Sequence, residues 1–234
     1  MRMNCLAFLS LLFTLLPFHL QSISTGTAYI HRSCNSTDDP KLCCKTLSRY
    51  PRVVQSNPAR LARVAISVSH SHVNGVAAYL SNIINSREVS PTPIKDCADF
   101  LSDATEEIGD SLGQMREMGE DPGAPDFGSN VSNVETWMSA AFAYEELCKD
   151  ELEYVTDVEM KKDLFDRVHH VQKITLNALG FAIEEECEHI RNILKMYEIA
   201  SGQKVNLQKS SVFYSPNTKD DTKQAISLQY HPYG

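Results

Sequence analysis

The chain has 234 residues, of which 42% are hydrophobic, and a formal net charge of −8 at pH 7. That length holds one large domain or one domain with an appendage, and the apolar fraction suffices for a packed core. The acidic balance argues against a nucleic-acid partner.

The first 28 residues read as a signal peptide. Arg2 supplies the basic n-region and Leu6 to Leu16 the apolar h-region, while small residues at Ser22–Ser24 or Gly26–Ala28 offer cleavage near 24 or 28. The apolar run is too short to span a bilayer and no later segment is long enough, so a secreted chain without membrane association is expected. Cys5 leaves with the signal. Cys34, Cys43, Cys44, Cys97, Cys148 and Cys187 then face an oxidising compartment, and spacing alone does not choose among their pairings. A zinc site is disfavoured, because Cys43 and Cys44 are adjacent and no CxxC or HxxxH partner exists.

In YIHRSCNSTDDPKLCCKTLSRYP, Cys34 and Cys43 flank Asp39-Pro40, a helix-start signal, so a bond between them would close a small helical hairpin. Pro51 and Pro58 then interrupt the pattern, and four amphipathic helices follow. The spacing predicts the first over Pro58 to Asn85, with Ile66, Val73, Val76, Leu80 and Ile84 inward. The second runs from about Lys95 to Met118 on the face Cys97, Leu101, Ala104, Ile108, Leu112 and Met115. After the loop GEDPGAPDFG, the third covers Ser129 to Cys148, with Val134, Met138, Ala141, Tyr144 and Cys148 inward and Trp137 at the flank. Ser132 and Glu135 have capping-box spacing there, and Ser129 or Asn130 are equal candidates for its start. The fourth spans about Asp157 to Ile183, turning Met160, Leu164, Val168, Val171, Thr175, Ala178 and Phe181 inward.

The expected fold is all-α: an antiparallel up-down-up-down four-helix bundle over 29–183, with an N-terminal helical hairpin. Cys97 opens the second helix and Cys148 closes the third. In an antiparallel pair those ends are neighbours, so the bundle selects Cys97–Cys148 as a disulfide. Residues 184–234 change character. Helix spacing at Ile190, Leu194 and Tyr197 stops at Gly202, and a strand-like run follows at Val212–Tyr214. A weakly ordered tail is expected.

No catalytic residue, metal ligand set or cofactor site is predicted. His70 and His72 lie two apart on a helix and face different ways, and the adjacent His169-His170 fail similarly as chelators. Glu145-Glu146, Asp150-Glu151 and Glu184–Glu186 read as solvated acidic faces. Phosphate loops, nucleophile elbows and HExxH are lacking. Lys204 and Lys209 sit among near-neutral charge, a weak case for nucleic acid. Asn35-Ser36-Thr37 and Asn130-Val131-Ser132 are glycosylation sequons, Asn130 being the more accessible by this reading.

The segments CNSTDDPKLCCKTLSRYP, IKDCADFLSDATEEIGDSL, SNVSNVETWMSAAFAYEELC and VQKITLNALGFAI, in that order, resemble the plant invertase/pectin methylesterase inhibitor family over about residues 28–183. The resemblance implies the same bundle and hairpin, and disulfides Cys34–Cys43 and Cys97–Cys148, leaving Cys44 as an odd thiol. It also implies a non-enzymatic, cofactor-free apoplastic inhibitor that docks one-to-one over the active-site cleft of a cell-wall pectin methylesterase. The third helix looks more like the pectin methylesterase group. No Pro-Lys-Phe element of the invertase inhibitors is present, so invertase is the less favoured partner. An alternative is the pro-region of a pectin methylesterase precursor that has lost its catalytic domain. The segment from about 185 to 234, with YEIASGQKVNLQKSSVFYSPNT, is similar instead to non-LTR retrotransposon reverse transcriptase. The Tyr-x-Asp-Asp motif is missing, so polymerase activity is not implied.

Charge fits that partner. From residue 184 onward seven acidic residues stand against six basic ones, so the acidity lies between 25 and 183. A domain so charged repels polyanions such as pectin and attracts a basic protein.

Overall fold

The computed structural model describes residues 24–86, 92–118 and 126–204, apart from the side chains of 185–189 and 192. Regular structure among them is entirely helical. Helix α1 is described over 24–34 and is followed by α2 (Pro40–Leu47) and the single turn α3 (Pro51–Val54). The long helices are α4 (Pro58–Asn85), α5 (Thr92–Glu117), α6 (Phe127–Leu152) and α7 (Val158–Ser201). The chain divides into two compact units, Met1–Glu186 and Cys187–Gly234, and the bundle lies in the first.

Several helix starts follow from local chemistry. Asp39 Oδ1 accepts the Leu42 N–H at 3.0 Å with Pro40 in the first turn of α2. Asn57 Oδ1 accepts the Arg60 N–H at 2.9 Å ahead of Pro58 in α4, and Asp157 Oδ1 accepts the Met160 N–H at 3.1 Å in α7. Each cap satisfies an orphaned donor, and proline has none to orphan.

Helix α6 departs from the local signals. It begins at Phe127, ahead of Ser129, Asn130 and the Ser132–Glu135 spacing. Phe127 is fully buried, so packing draws the first turn onto the bundle. Ser129 Oγ donates to the Asp126 carbonyl, and the Ser132 carbonyl accepts from Thr136 Oγ1 inside the helix. Helix α7 likewise runs through Ile183 to Ser201, because nothing in 184–201 breaks a helix before Gly202 (φ +69°). The strand-like run at 212–214 lies outside the described residues.

Paired residues along neighbouring helices fix the topology. From α4 to α5 the pairs are Arg63 with Met115, then His70 beside Gly109. From α5 to α6 they are Cys97 with Cys148 and Ser111 with Val134. From α4 to α7 they are Ser69 with Thr175, His72 with His170 and Tyr79 with Asp163. In each series one number rises as the other falls, so all these neighbours are antiparallel. Helix α7 also bonds to α6 through Glu145 and Glu146, so it faces α5 across the core.

The predicted inward faces form that core. Every residue assigned to α5's face is buried, as are Ile66, Val73, Val76 and Leu80 on α4 and Leu164, Val168, Val171, Thr175, Ala178 and Phe181 on α7. Ile84, Met160 and Tyr144 are only half-buried, lying at the rim or one position off the seam. The hairpin packs against the bundle through Ile30, Leu42 and Leu47. Asn177 clamps it by a two-way bond: its Oδ1 accepts the Asp39 N–H and its Nδ2 donates to the Asp39 carbonyl, both at 3.3 Å. At Gly26 any Cβ would collide with the Pro51 carbonyl, so glycine permits the approach of α1 to α3.

Cys34 is bonded to Cys43 across the α1–α2 turn, and Cys97 to Cys148 across α5 and α6. The second bond closes a sequence separation of 51 residues. Replacing both its cysteines by alanine is expected to lower stability by about 4 kcal/mol through the freed unfolded chain. Urea unfolding reads this directly, and an unchanged midpoint would contradict it.

Candidate functional site

The adjacent glutamates of α6 part company. Glu145 is fully buried, whereas Glu146 sits at the surface with Lys149 Nζ at 3.0 Å and Gln172 Nε2 at 2.7 Å. The solvated reading therefore holds for Glu146 and fails for Glu145. Buried positions on α6 are Phe127, Val131, Val134, Met138, Ala141, Glu145, Cys148 and Leu152, spaced alternately by four and three. Glu145 occupies a seam position, and Tyr144 lies beside it. Thr175 Oγ1 donates to Glu145 Oε1 at 2.6 Å, and Ser69 Oγ lies 2.8 Å from Thr175 Oγ1. With the Thr175 proton committed to Glu145, Ser69 is the donor in the second bond. Desolvation pushes the Glu145 carboxyl up to about 8, against the partial relief of the Thr175 bond. It is a neutral acid in mildly acidic solution. This trio joins three helices and does no chemistry on a ligand.

The surface carries two contrasting clefts. The first, about 440 Å³, lies between α4 and α5 and is lined by His70, Asn74, Thr105, Glu106, Gly109 and Asp110. Beside it Asp99, Asp103, Glu106 and Asp110 form an exposed stripe at helical spacing. Its field is felt by Glu107, whose carboxyl is raised by partial burial and then by Asp110, Glu106 and Asp103.

The second cleft, about 450 Å³, lies between α4 and α7 and includes His72, Gly75, Arg167 and His170. His72 and His170, each paired in sequence with the wrong neighbour, meet here with ring centroids 6.0 Å apart. Their meeting depends on helix pairing and had no local signal. His169 stacks on Phe165 instead, and His70 belongs to the other cleft. Arg167 lies 4.0 Å over the Tyr79 ring and donates to Asp163 at 2.9 Å.

Among the described residues no cluster of three metal-ligating side chains exists, and no helix is long and apolar enough to cross a membrane. Cys44 is a free, half-buried thiol whose Sγ lies 3.4 Å from His31 Nδ1, and burial pushes its pKa up. Asn35 is exposed in the turn after α1, whereas Asn130 is half-buried in the first turn of α6. Accessibility thus runs opposite to the sequence reading, because α6 begins before Asn130 rather than at it. Lys204 is exposed, and Lys209 lies outside the described residues.

A sequence profile of the plant invertase/pectin methylesterase inhibitor family matches residues 28–180. The chain is similar to pectinesterase inhibitor 3 of Arabidopsis thaliana, at 30% identity over 64% of this chain and 75% of that protein. It is also similar to a 21 kDa protein of Daucus carota, at 29% over 77% of this chain and 96% of that one. Pectinesterase inhibitor 9 of Arabidopsis thaliana matches at 29% over 67% and 80% respectively.

Burial of Glu145 sets a pH dependence. The unfolded chain releases this proton near 4.5 and the folded one near 8, so its contribution is fully present below about 4.5 and is lost as pH rises towards 8. Glu145→Gln is expected to flatten this slope. Between the two pH limits the wild-type chain should lose at least about 1 kcal/mol more than the variant. Parallel slopes in urea titrations across that range would mean the carboxyl is not held neutral.

Proposed function

The chain belongs to the plant invertase/pectin methylesterase inhibitor family, and from that premise we infer that it is a non-enzymatic inhibitor of a cell-wall pectin methylesterase. It acts by docking one-to-one over the enzyme's active-site cleft. The observation that carries this reading is the exposed acidic stripe of α5 beside the α4–α5 cleft, on a rigid bundle closed by Cys97–Cys148. An aligned row of carboxylates on a helix steers a basic surface into register and speeds its encounter. Relatives named pectinesterase inhibitors support the inhibitor reading over a precursor's pro-region.

The inhibitor is secreted, and cleavage falls near residue 24 rather than 28, since Gly26 is buried against Pro51 in α1. Glycosylation is expected at Asn35 ahead of Asn130, on the same exposure grounds. Pectin methylesterase is preferred to invertase because the chain lacks a Pro-Lys-Phe element. Residues 185–234 are read as an appended reverse-transcriptase-like fragment without a part in inhibition. Within the second unit Ile193, Met196 and Ile199 are exposed.

Purified protein in excess is expected to suppress release of methanol from pectin by a plant pectin methylesterase at mildly acidic pH and low salt. Unchanged demethylesterification would remove the reading. The double variant Asp103→Lys, Asp110→Lys should slow association by about tenfold while leaving thermal unfolding unchanged. Equal on-rates would place the contact elsewhere. A chain truncated after Ile183 should match the full chain in both inhibition and unfolding midpoint. A drop in either would give the tail a role.

A further inference from the structure

We propose that the α4–α7 cleft binds the free carboxylates of an acidic oligosaccharide of the galacturonate class, apart from the surface that docks on the enzyme. The choice of galacturonate rests on the reading that the target is a pectin methylesterase, because de-esterified galacturonate is what that enzyme makes.

The cleft is open, with Val76 and Val171 among its lining residues. Ser71, His72, Arg167 and His170 line it, and at Gly75 an added Cβ would meet nothing within 4 Å. The charges facing it come from three elements. From α2 there is Lys45, and Asp39 stands at that helix's N-cap. From α7 there are Lys173, Arg167 and Asp163, with His169 adjacent to His170. From α4 there are His72 and the Tyr79 hydroxyl.

The two acids are already committed. Asp39 caps α2 and lies 3.4 Å from Lys173 Nζ. Asp163 accepts from both Arg167 Nε and the Tyr79 hydroxyl at 2.9 Å. Lys45 has no ion pair among the described residues. An excess of positive charge therefore remains in the cleft once the histidines protonate. Burial, followed by the positive field of Lys45 and Lys173, holds His170 below its ordinary value. Burial and then His170 do the same to His72. The ammonium groups of Lys45 and Lys173 near His170 favour an anion over a metal cation in this cleft. A bound carboxylate offsets the repulsion, draws protons onto both rings and makes binding stronger as pH falls below the usual histidine range.

The net charge of −8 does not cancel this site. The acidic stripe belongs to α5, which packs on α4 and α6 and faces α7 across the core. Helix α4 stands between that stripe and this cleft, and across an interhelical spacing of about 8–10 Å a Debye length of about 8 Å screens the stripe's field. The two clefts lie on either side of α4: the one beside the acidic stripe suits a basic enzyme, and the one that holds the histidines suits its anionic product. An inhibitor so built would be retained where pectin has already been de-esterified.

The test uses the purified full mature chain, without enzyme, and a short de-esterified oligogalacturonide in calorimetric titrations. Binding is expected near pH 5, weaker by about tenfold near pH 7.5 and weaker by a similar factor in His72→Gln/His170→Gln. The exposed-site variant Lys45→Gln, which leaves the imidazoles in place, should also weaken it. The oligosaccharide should raise the unfolding temperature of the wild type near pH 5 and leave that of the histidine variant unmoved. No binding by the wild type, equal binding by the variants, equal binding of the fully methyl-esterified oligomer, or displacement by equimolar phosphate would overturn the assignment. Enzyme inhibition assayed separately distinguishes the two readings. Inhibition without oligosaccharide binding removes the subsite alone, and oligosaccharide binding without inhibition removes the proposed function alone.

Discussion

Thr175 gives its one hydroxyl proton to Glu145 of α6 and accepts one from Ser69 of α4, so a single side chain of α7 is bonded to two neighbouring helices inside the core. Apolar faces alone leave helices free to slide by a turn, since one aliphatic contact is much like the next. A slip would break both bonds of this buried chain, in which Glu145 Oε2 already lacks a partner among the described residues, and would leave a carboxyl and two hydroxyls unpaired. Two residues further on, Asn177 clamps Asp39 and thereby seats the hairpin. The TLNAL segment thus fixes the last helix against α4, α6 and α2 together.

This register decides what the surface presents. With α7 bonded to both α4 and α6, α5 is set across the core from α7, and α4 stands between its acidic stripe and the cleft where His72 meets His170. The same pairing stacks Arg167 over Tyr79 and consumes Asp163, which would otherwise neutralise the cleft. The placing of the acidic stripe and the histidine cleft on either side of α4 is therefore a consequence of helix pairing, not of composition. Stability follows the same arrangement in two directions. The neutral Glu145 favours the folded state at low pH, and the depressed histidines oppose it there.

Much of this was legible in the sequence. Inward faces repeat every three or four residues, and Asp39-Pro40 and Asn57-Pro58 announce their helices through a cap and a missing donor. The bundle topology follows from short reversing connections and from cysteines at matching helix ends. Glu145 was readable too, since it stands on the alternating spacing from Val131 to Leu152. A carboxylate on a seam is ordinarily a break in the pattern, and its neighbour Tyr144 offered an apolar substitute. The start of α6 was misleading for a related reason. Serine and asparagine at 129–132 are good local caps, yet burial of Phe127 outweighs them.

The sequence by itself determined that residues 29–183 make a helical bundle, where its apolar faces lie, and which family the chain belongs to, because these depend on periodicity and on residues close in the chain. Only the tertiary structure decided that Glu145 is buried as an acid, that His72 and His170 share a cleft, and that α4 separates this cleft from the acidic stripe of α5. Those outcomes depend on which helices are neighbours and in what register, and that is settled by burial and polar satisfaction between residues as far apart as Ser69 and Thr175.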